Sequence, residues 1–410
     1  MTRPVLIVGG GLGGVATALG LGQQGRSVRL LEQSAEIAPI GYGVQIGPNV
    51  LPVLQRLGVG DEVRRASYLP DDLLLLDAYT GENLVRVPLK GEAFERRYPA
   101  PYIAIHRVDL HEILLKAVRQ LPNVDLNQAT TVSGYSQTAD AAQVQTERGE
   151  TIEGCALVAA DGLRSRLRAQ MHPDDASRDT GYVAHRTIVP MSEAPESLQR
   201  RAGVTMWTGD GFHVIYYPLR ERTEMNIVAV FRVPPDLEPT DNHGYRNYID
   251  AIATNAQPEV RDVISVVNLE RRWAIADRNP LRRWADGRVT LLGDSAHATL
   301  QSLAQGAGMA LEDASELTAL MAKHPEDPER AFAAFERLRF VRTARVQLES
   351  RALWHTYHCG GVDAEVRTQQ LQERTTEDLY RCFDWLWNPA AARAALPGEQ
   401  QPRTCEGGAE

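Results

Sequence analysis

The chain has 410 residues, 43% of them hydrophobic, and a formal charge of −9 at pH 7. That length exceeds one ordinary core and suits two or three domains, and the hydrophobic share excludes global disorder. The acidic balance argues against nucleic acid as the main partner, while leaving single basic residues to meet a small anion. Cys155, Cys359, Cys382 and Cys405 show no CxxC or paired spacing. This fits a reducing compartment better than a disulfide framework or a metal site. The amino terminus, MTRPVLIVGGGLGG, lacks a charged segment followed by an apolar one, and no run reaches the ~18 apolar residues of a spanning helix. The expectation is a soluble, cytoplasmic protein with no membrane span.

Pro4–Val8 predicts a short buried strand, Gly13–Gln24 a helix of small residues and Ser27–Leu31 the next strand, a β-α-β unit. The turn between them, GGGLGG from Gly9 to Gly14, satisfies G-x-G-x-x-G, and Glu32 ends the second strand 18 residues beyond Gly14. Gly9 permits a tight turn, Gly11 lets backbone approach a pyrophosphate, and Gly14 lets helix and strand pack closely. The helix N-terminus faces the negative charge. A carboxylate at Glu32 suits both hydroxyls of an adenosine ribose. A glycine-rich turn alone is the bland alternative; with strand, helix and acid in place the pattern points to a dinucleotide, NAD or FAD.

Further along, Asp109–Leu121 is an amphipathic helix, with Asp109 and Glu112 as its expected capping box. Arg107 stands just before it, suited to a phosphate or a ribityl chain, though alone it reads as a surface charge. Residues 124–153 predict strands and end in the apolar run Cys155–Ala160 before Asp161-Gly162. The stretch from Asp161 to Arg168 has the form D-G-x-x-S-x-x-R; Asp-Gly by itself is a turn signal. From 178 to 276 the texture becomes antiparallel strands, among them Tyr182–Pro190, Phe212–Tyr217 and Met225–Phe231. Arg288–Leu292 then reads as a buried strand running into GDSAHATLQSLAQGAG, Gly293 to Gly308, with a helix from Met309. Helices are expected over Pro328–Ser350 and Ala364–Trp387, and a loosely held tail after Asn388. The division is 1–177 and 277–345 for a nucleotide-binding domain, 178–276 for a second domain, and 346–410 for C-terminal helices and tail.

The glycine turn, His106-Arg107-Val108-Asp109-Leu110, the D-G-x-x-S-x-x-R stretch and Gly293-Asp294, in this order, resemble one family. It is the single-component, FAD-dependent aromatic hydroxylases of the p-hydroxybenzoate and salicylate hydroxylase type, matched over about residues 4–345. The resemblance implies an α/β fold (α+β overall): a Rossmann-type FAD domain, an inserted, mostly antiparallel substrate sheet and a helical C-terminal region. It implies that Gly9, Gly11, Gly14 and Glu32 hold the ADP half of FAD. Arg107 would meet the phosphoribityl part and Asp294 the ribityl hydroxyls. Asp161 lies in a segment the family associates with both FAD and the nicotinamide donor. Gly306, Ala307 and Gly308 would open a helix N-terminus toward the polar edge of the flavin. With a single dinucleotide fingerprint, NADH or NADPH has no standard site and is expected as a transient donor. Glu336, Arg339 and Arg342 match the family's E-x-x-R-x-x-R helix, read as structural, and His297 is assigned to packing.

The resemblance implies a flavin C4a-hydroperoxide whose electrophilic distal oxygen is attacked by the phenol, best as phenolate, from the carbon ortho or para to its oxygen. The site must therefore accept or stabilise the phenolic proton and stay dry. In FHVIYYP a strand puts His213, Ile215 and Tyr217 on one face and Val214 and Tyr216 on the other. Imidazole titrates near 6.5 and phenol near 10, so proton transfer to His213 is uphill by ~3.5 units, roughly 5 kcal/mol. A second donor on the oxyanion reduces that cost. The family's usual proline after Gly-Asp-x-Ala-His is missing; Gln301 brings an amide to that place. His213, Tyr217 and Gln301 together look most like the 3-hydroxybenzoate 6-hydroxylases, which hydroxylate para to the phenol and yield gentisate. His213 and Gln301 are expected to hold the phenolic oxygen and Tyr217 to orient the ring. The partners implied are a small aromatic acid and O2; a homodimer is the expectation for a soluble enzyme of this size, and a buried lipid is compatible with the sequence. Two arginine-bearing segments could receive the substrate carboxylate, and the sequence does not place either in the pocket. Alternatives are a salicylate 1-hydroxylase, a hydroxypyridine carboxylate hydroxylase, an NAD-dependent dehydrogenase and a non-catalytic flavin- or lipid-binding module.

Overall fold

Four consecutive apolar residues, Val5–Val8, form a strand buried on both faces, the signature of a sheet covered by helices above and below. In the computed structural model, which describes residues 3–36, 41–238 and 241–388, this strand lies inside a six-stranded sheet. The order is Ala285–Asp286, Val289–Leu291, Ala156–Ala159, Val5–Val8, Val28–Leu31, Val124–Asn127. All neighbours pair parallel except at the edge, where Ala285–Asp286 runs antiparallel. The opening β-α-β unit is thus present as read, with its helix at Leu12–Gln23. That helix packs on the helix Gly306–Lys323. Its small residues make the approach possible: a Cβ on Gly13 would sit 2.8 Å from Leu292, and one on Gly20 2.8 Å from Thr318.

The second sheet has seven strands, in the order Trp273–Asp277, Arg178–Pro190, Glu224–Arg232, Phe212–Leu219, Val204–Gly209, Asp72–Asp77, Asn83–Pro88. It is therefore not made by 178–276 alone. Two strands from the first segment complete it, Asp72–Asp77 joining Val204–Gly209 in parallel. The leucine run Leu73–Leu76 lacks alternation because both faces are covered: Leu75 lines a cavity while Leu76 packs into the core beneath. Residues paired across antiparallel neighbours share a face. One such row crosses five strands as Arg186, Val228, Ile215, Met206 and Leu75. All five face the cavity that separates the two sheets.

Several helix boundaries differ from the sequence reading. The helix expected at Asp109 begins at Arg107, and its cap is His106, whose ring accepts from Val108 N. Asp109 instead pairs with Arg220 at 2.7 Å. The helix expected to end at Ser350 continues from Pro328 to His358 and stops at Gly360-Gly361. Ala364–Trp387 is two helices, Gly361–Gln372 and Thr376–Trp387. Thr375 and Asp378 form a capping box at the break. The last nucleotide-domain helix starts at Gly306, three residues before Met309. The tail after Asn388 lies outside the described residues. The described cysteines, Cys155, Cys359 and Cys382, are free thiols. Among the described residues no helix is long and apolar enough to cross a membrane.

Candidate active site

Between the sheets lies a cavity of about 780 Å³. Its nucleotide-domain wall is built from turns that carry almost no side chain. Gly11 ends the first strand-to-helix turn, and a Cβ there would meet no protein atom within 4 Å. The other two fingerprint glycines are structural. Gly9 has φ +108°, and a Cβ on Gly14 would fall 1.9 Å from the Gly9 carbonyl oxygen, so each admits only glycine. The N-terminus of Leu12–Gln23 has no side-chain cap, leaving its N–H groups available to an anion. Glu32 holds the turn from the neighbouring strand: its carboxylate accepts from Gly10 N at 2.6 Å and from Ser34 N at 2.8 Å.

Arg107, Asp294, Gly306 and Ala307 line the same wall. Asp294 is open on its cavity side yet deep in the fold, so burial raises its carboxyl pKa; His297 and Arg107 offset part of that rise. Burial lowers Arg107, and Asp294 counters it. A Cβ on Gly306 would also meet nothing within 4 Å. Two glycine gaps, two open helix N-termini and a buried Arg–Asp couple fit a long, flat, anionic dinucleotide. FAD would lie along this wall, with Gly11 at its pyrophosphate and Asp294 at its ribityl hydroxyls. Gly308 is different: it packs inward, where a Cβ would meet Val50 at 2.9 Å.

Asp161 is not part of this wall. Ala160 and Gly162 on either side of it line the cavity, but the Asp161 carboxylate accepts from Arg166 N at 3.0 Å and reaches Leu167 N at 3.4 Å. It caps the helix Arg166–Met171 together with Ser165, which accepts from Arg168 N at 2.9 Å. Arg168, fully buried, pairs with Asp175 at 2.8 Å and donates to the carbonyls of Ser295 and Ala296 at 3.0 and 2.6 Å. The D-G-x-x-S-x-x-R stretch is thus a brace for the Gly293–His297 turn. A second brace lies behind it. His297 bonds Asp313 at 2.5 Å, and Arg339 spans Asp313 and Glu312 at 2.6 and 2.7 Å. Arg342 adds a 2.6 Å contact to Glu312, and Glu336 accepts from Trp284 N at 2.7 Å. The E-x-x-R-x-x-R helix and His297 act through this buried network.

The opposite wall is the sheet. His213, Ile215 and Tyr217 all face the cavity, while Val214 and Tyr216 turn into the core beneath. Tyr217 is fully buried, and burial raises its phenol pKa, so it stays a protonated donor. It abuts Gly43, where a Cβ would stand 2.7 Å from its ring. Gln45 bonds its hydroxyl and also accepts from Tyr102 at 2.6 Å. Gln301 reaches the cavity from the loop after His297, and its carbonyl oxygen accepts from Arg186 at 3.3 Å. That bond orients the amide, and its NH2 group is free to donate. Burial pushes the His213 pKa well down, with His358 adding to it, so its ring is neutral and a weaker base than free imidazole. Around these few polar groups the wall is apolar.

Arg186 and His358 are the residues the sequence reading missed. Arg186 is a deeply set cation in a strand with no motif; burial lowers its pKa, and Tyr217 and Tyr42 counter part of the effect. His358 lies against His213, and its signal was the Gly-Gly stop two residues beyond it.

Comparison with known proteins agrees with this construction. Residues 2–331 match the FAD binding domain family. The 3-hydroxybenzoate 6-hydroxylase of Polaromonas naphthalenivorans (strain CJ2) is 39% identical over 94% of this chain and 96% of that protein. The enzyme of the same name from Klebsiella oxytoca is 37% identical over 93% and 96%. Klebsiella pneumoniae HpxO complexed with FAD and uric acid superimposes with a TM-score of 0.82 at 26% identity, covering 93% of this chain and 95% of that one. A salicylate hydroxylase substrate complex gives 0.76 at 25%, covering 98% and 99%. The chain belongs to the FAD binding domain family and is an FAD-dependent aromatic monooxygenase.

Proposed function

We propose that this protein hydroxylates 3-hydroxybenzoate at the ring carbon para to the phenol oxygen, giving 2,5-dihydroxybenzoate (gentisate). The reaction consumes NADH or NADPH and O2. One observation carries the reading: His213, Tyr217 and Gln301 line the same cavity as the glycine turns that fit FAD. The names of the similar enzymes from Polaromonas and Klebsiella support the substrate. FAD, once reduced, activates O2 for delivery of one oxygen atom to the ring.

The protein's own residues orient and polarise that ring. His213 accepts the hydrogen bond of the substrate hydroxyl, and takes its proton as the oxygen gains carbonyl character under attack. The Gln301 amide donates to the same oxygen. Tyr217 packs along the ring, its hydroxyl held by Gln45. Arg186 supplies the positive charge that an anionic substrate needs on this wall, at a place where low polarity strengthens it. The apolar lining keeps water from the reacting atoms. Gly9, Gly11, Gly14, Glu32, Arg107, Asp294, Gly306, Ala307 and Gly308 build or line the cofactor wall, and Asp161 supports it as a cap. In this reading the enzyme is cytoplasmic and a homodimer, which light scattering of the purified protein tests.

The functional test is NADH and NADPH oxidation by the FAD-loaded protein against a panel of monohydroxybenzoates and 6-hydroxynicotinate, with product identification. Gentisate from 3-hydroxybenzoate is expected. Catechol from salicylate, or a dihydroxypyridine, as the main product would refute the substrate. His213→Ala and Gln301→Ala are each expected to uncouple NADH oxidation from hydroxylation; tight coupling at the wild-type rate in both would remove their assigned roles.

A further inference from the structure

His213 does not face the cavity alone. Its Nδ1 lies 2.7 Å from Nε2 of His358, and Nδ1 of His358 lies 2.7 Å from the carbonyl oxygen of Trp354. A carbonyl can only accept. His358 must therefore carry its proton on Nδ1. Burial lowers its pKa to about 3, so the ring is neutral and Nε2 is a bare acceptor. The proton between the rings then belongs to Nδ1 of His213, and the remaining nitrogen of His213, Nε2, is left unprotonated on a side chain that lines the cavity. One backbone carbonyl, acting through two rings, thus decides which tautomer the substrate meets.

We propose that His358 is a positioning residue that holds His213 in the Nδ1–H tautomer, so that Nε2 accepts the hydroxyl hydrogen bond of the aromatic substrate. This rests on the substrate reading above for the ligand, but not for the tautomer. Without the partner, nothing opposes the Nε2–H form. In that form the ring would present a donor to a hydroxyl already served by the Gln301 donor. The surroundings hold the pair in register: Trp354 and Tyr357 pack edge-on against His213, and Tyr182 lies against His358 at 4.6 Å between ring centres. His358 is fixed at the end of a 31-residue helix, and its own carbonyl accepts from Gly211 N at 3.0 Å, two residues before His213.

Two measurements test this. The first uses FAD-bound protein labelled with 15N-histidine, with the His213 signals assigned by their loss in His213→Asn. Wild type is expected to show a protonated Nδ1 and an unprotonated Nε2 at His213; the reverse pattern would overturn the proposal whatever the substrate is. The second compares affinities for 3-hydroxybenzoate and for benzoate, which lacks the hydroxyl, from flavin absorbance changes. His358→Leu is expected to weaken 3-hydroxybenzoate by about tenfold, the worth of one buried hydrogen bond, and to leave benzoate within about twofold. His358→Gln, whose side-chain carbonyl can accept from His213, is expected to restore most of the difference. Equal weakening of both ligands in a folded variant, or no rescue by glutamine, would show that His358 is only structural. If wild type itself does not prefer 3-hydroxybenzoate over benzoate, the substrate reading fails, and the nitrogen signals alone decide the tautomer.

Discussion

Replacing Arg339 with leucine should damage the fold more than any change on the cavity surface. Arg339 is 4% exposed and touches two carboxylates, Asp313 at 2.6 Å and Glu312 at 2.7 Å, each itself nearly inaccessible. Removing the cation leaves Asp313 with no arginine and Glu312 with Arg342 alone of its two cations. Breaking a buried pair from one side costs about 3–5 kcal/mol. The carboxylate's own titration gives a similar scale. Arg339 and Arg342, against the opposing effect of burial, bring Glu312 from 4.5 down to about 2. That shift corresponds to roughly 3 kcal/mol of preference for the charged form, shared between the two arginines. Against typical unfolding free energies of about 5–15 kcal/mol the loss is large.

The pH dependence has a definite sign. A carboxyl whose folded pKa lies below its unfolded value stabilises the fold above the unfolded pKa, and that stability is lost as pH falls through the folded one. For wild type this contribution is complete above about pH 4.5 and fades toward about pH 2. In Arg339→Leu the carboxylates, left with less positive charge beside them, gain by protonation, so the deficit should be greatest near pH 7 and shrink below about pH 4.5. Urea unfolding of FAD-saturated protein at pH 7 and pH 4, followed by tryptophan fluorescence, reads both. Arg342→Leu should cost less, because it leaves the Arg339 bridge to both carboxylates intact. A loss below about 1 kcal/mol at pH 7, or a deficit that does not narrow in acid, would refute the account of the network.

Other substitutions separate cofactor contacts from packing. Gly11→Ala adds a methyl where no protein atom stands within 4 Å; the apoprotein should unfold as wild type does, while FAD affinity falls by about tenfold or more, read from fluorescence of released flavin. Gly14→Ala, whose methyl would sit 1.9 Å from a carbonyl oxygen, should fail to yield folded protein at all. Glu32→Gln loses charge from two short bonds to backbone N–H groups, worth about 1.5–3 kcal/mol each at full strength, and should weaken FAD by about tenfold with little change in hydroxylation once saturated. Thr375→Ala removes a reciprocal cap and should lower stability by about 1 kcal/mol in urea unfolding, with the flavin spectrum unchanged.

What the sequence showed followed how local each signal was. The β-α-β unit reads from a short stretch because strand, glycine turn and helix are contiguous. The shared face of His213, Ile215 and Tyr217 reads from the two-residue period of a strand. The two strands that complete the substrate sheet did not show. Asp72–Asp77 pairs with Val204–Gly209, some 130 residues on, and four leucines in a row carry no period. Arg186 was hidden for the same reason: its place on the cavity follows from its pairing with Val228. Asp161 went the other way, its motif being legible while its carboxylate serves the chain as a cap. The helix ends were recoverable, since Gly360-Gly361 and the T-x-x-D at Thr375 are ordinary stop and start signals.

The uneven distribution of polarity between the two walls bears on the chemistry. The cofactor wall is made of backbone, with glycines, helix N-termini and one Arg–Asp couple, so it can follow a polar ligand along its length. The sheet wall is a row of branched and long apolar side chains broken by few polar ones, and several of those are already partly committed. The Gln301 carbonyl is held by Arg186, Nδ1 of His213 by His358, and the Tyr217 hydroxyl by Gln45. These bonds bias what each still offers: His213 an acceptor at Nε2, Gln301 the donors of its NH2 group and Tyr217 its O–H. In a dry cavity an unmatched offer is costly, since no water replaces the missing partner. A ligand that lacks a hydroxyl at the His213–Gln301 position therefore leaves an acceptor and a donor buried and empty. On the proposed substrate placement, discrimination between hydroxylated and plain aromatic acids follows from these bonds, and it should weaken when any one of the second partners, Arg186, His358 or Gln45, is removed while His213, Gln301 and Tyr217 stay in place.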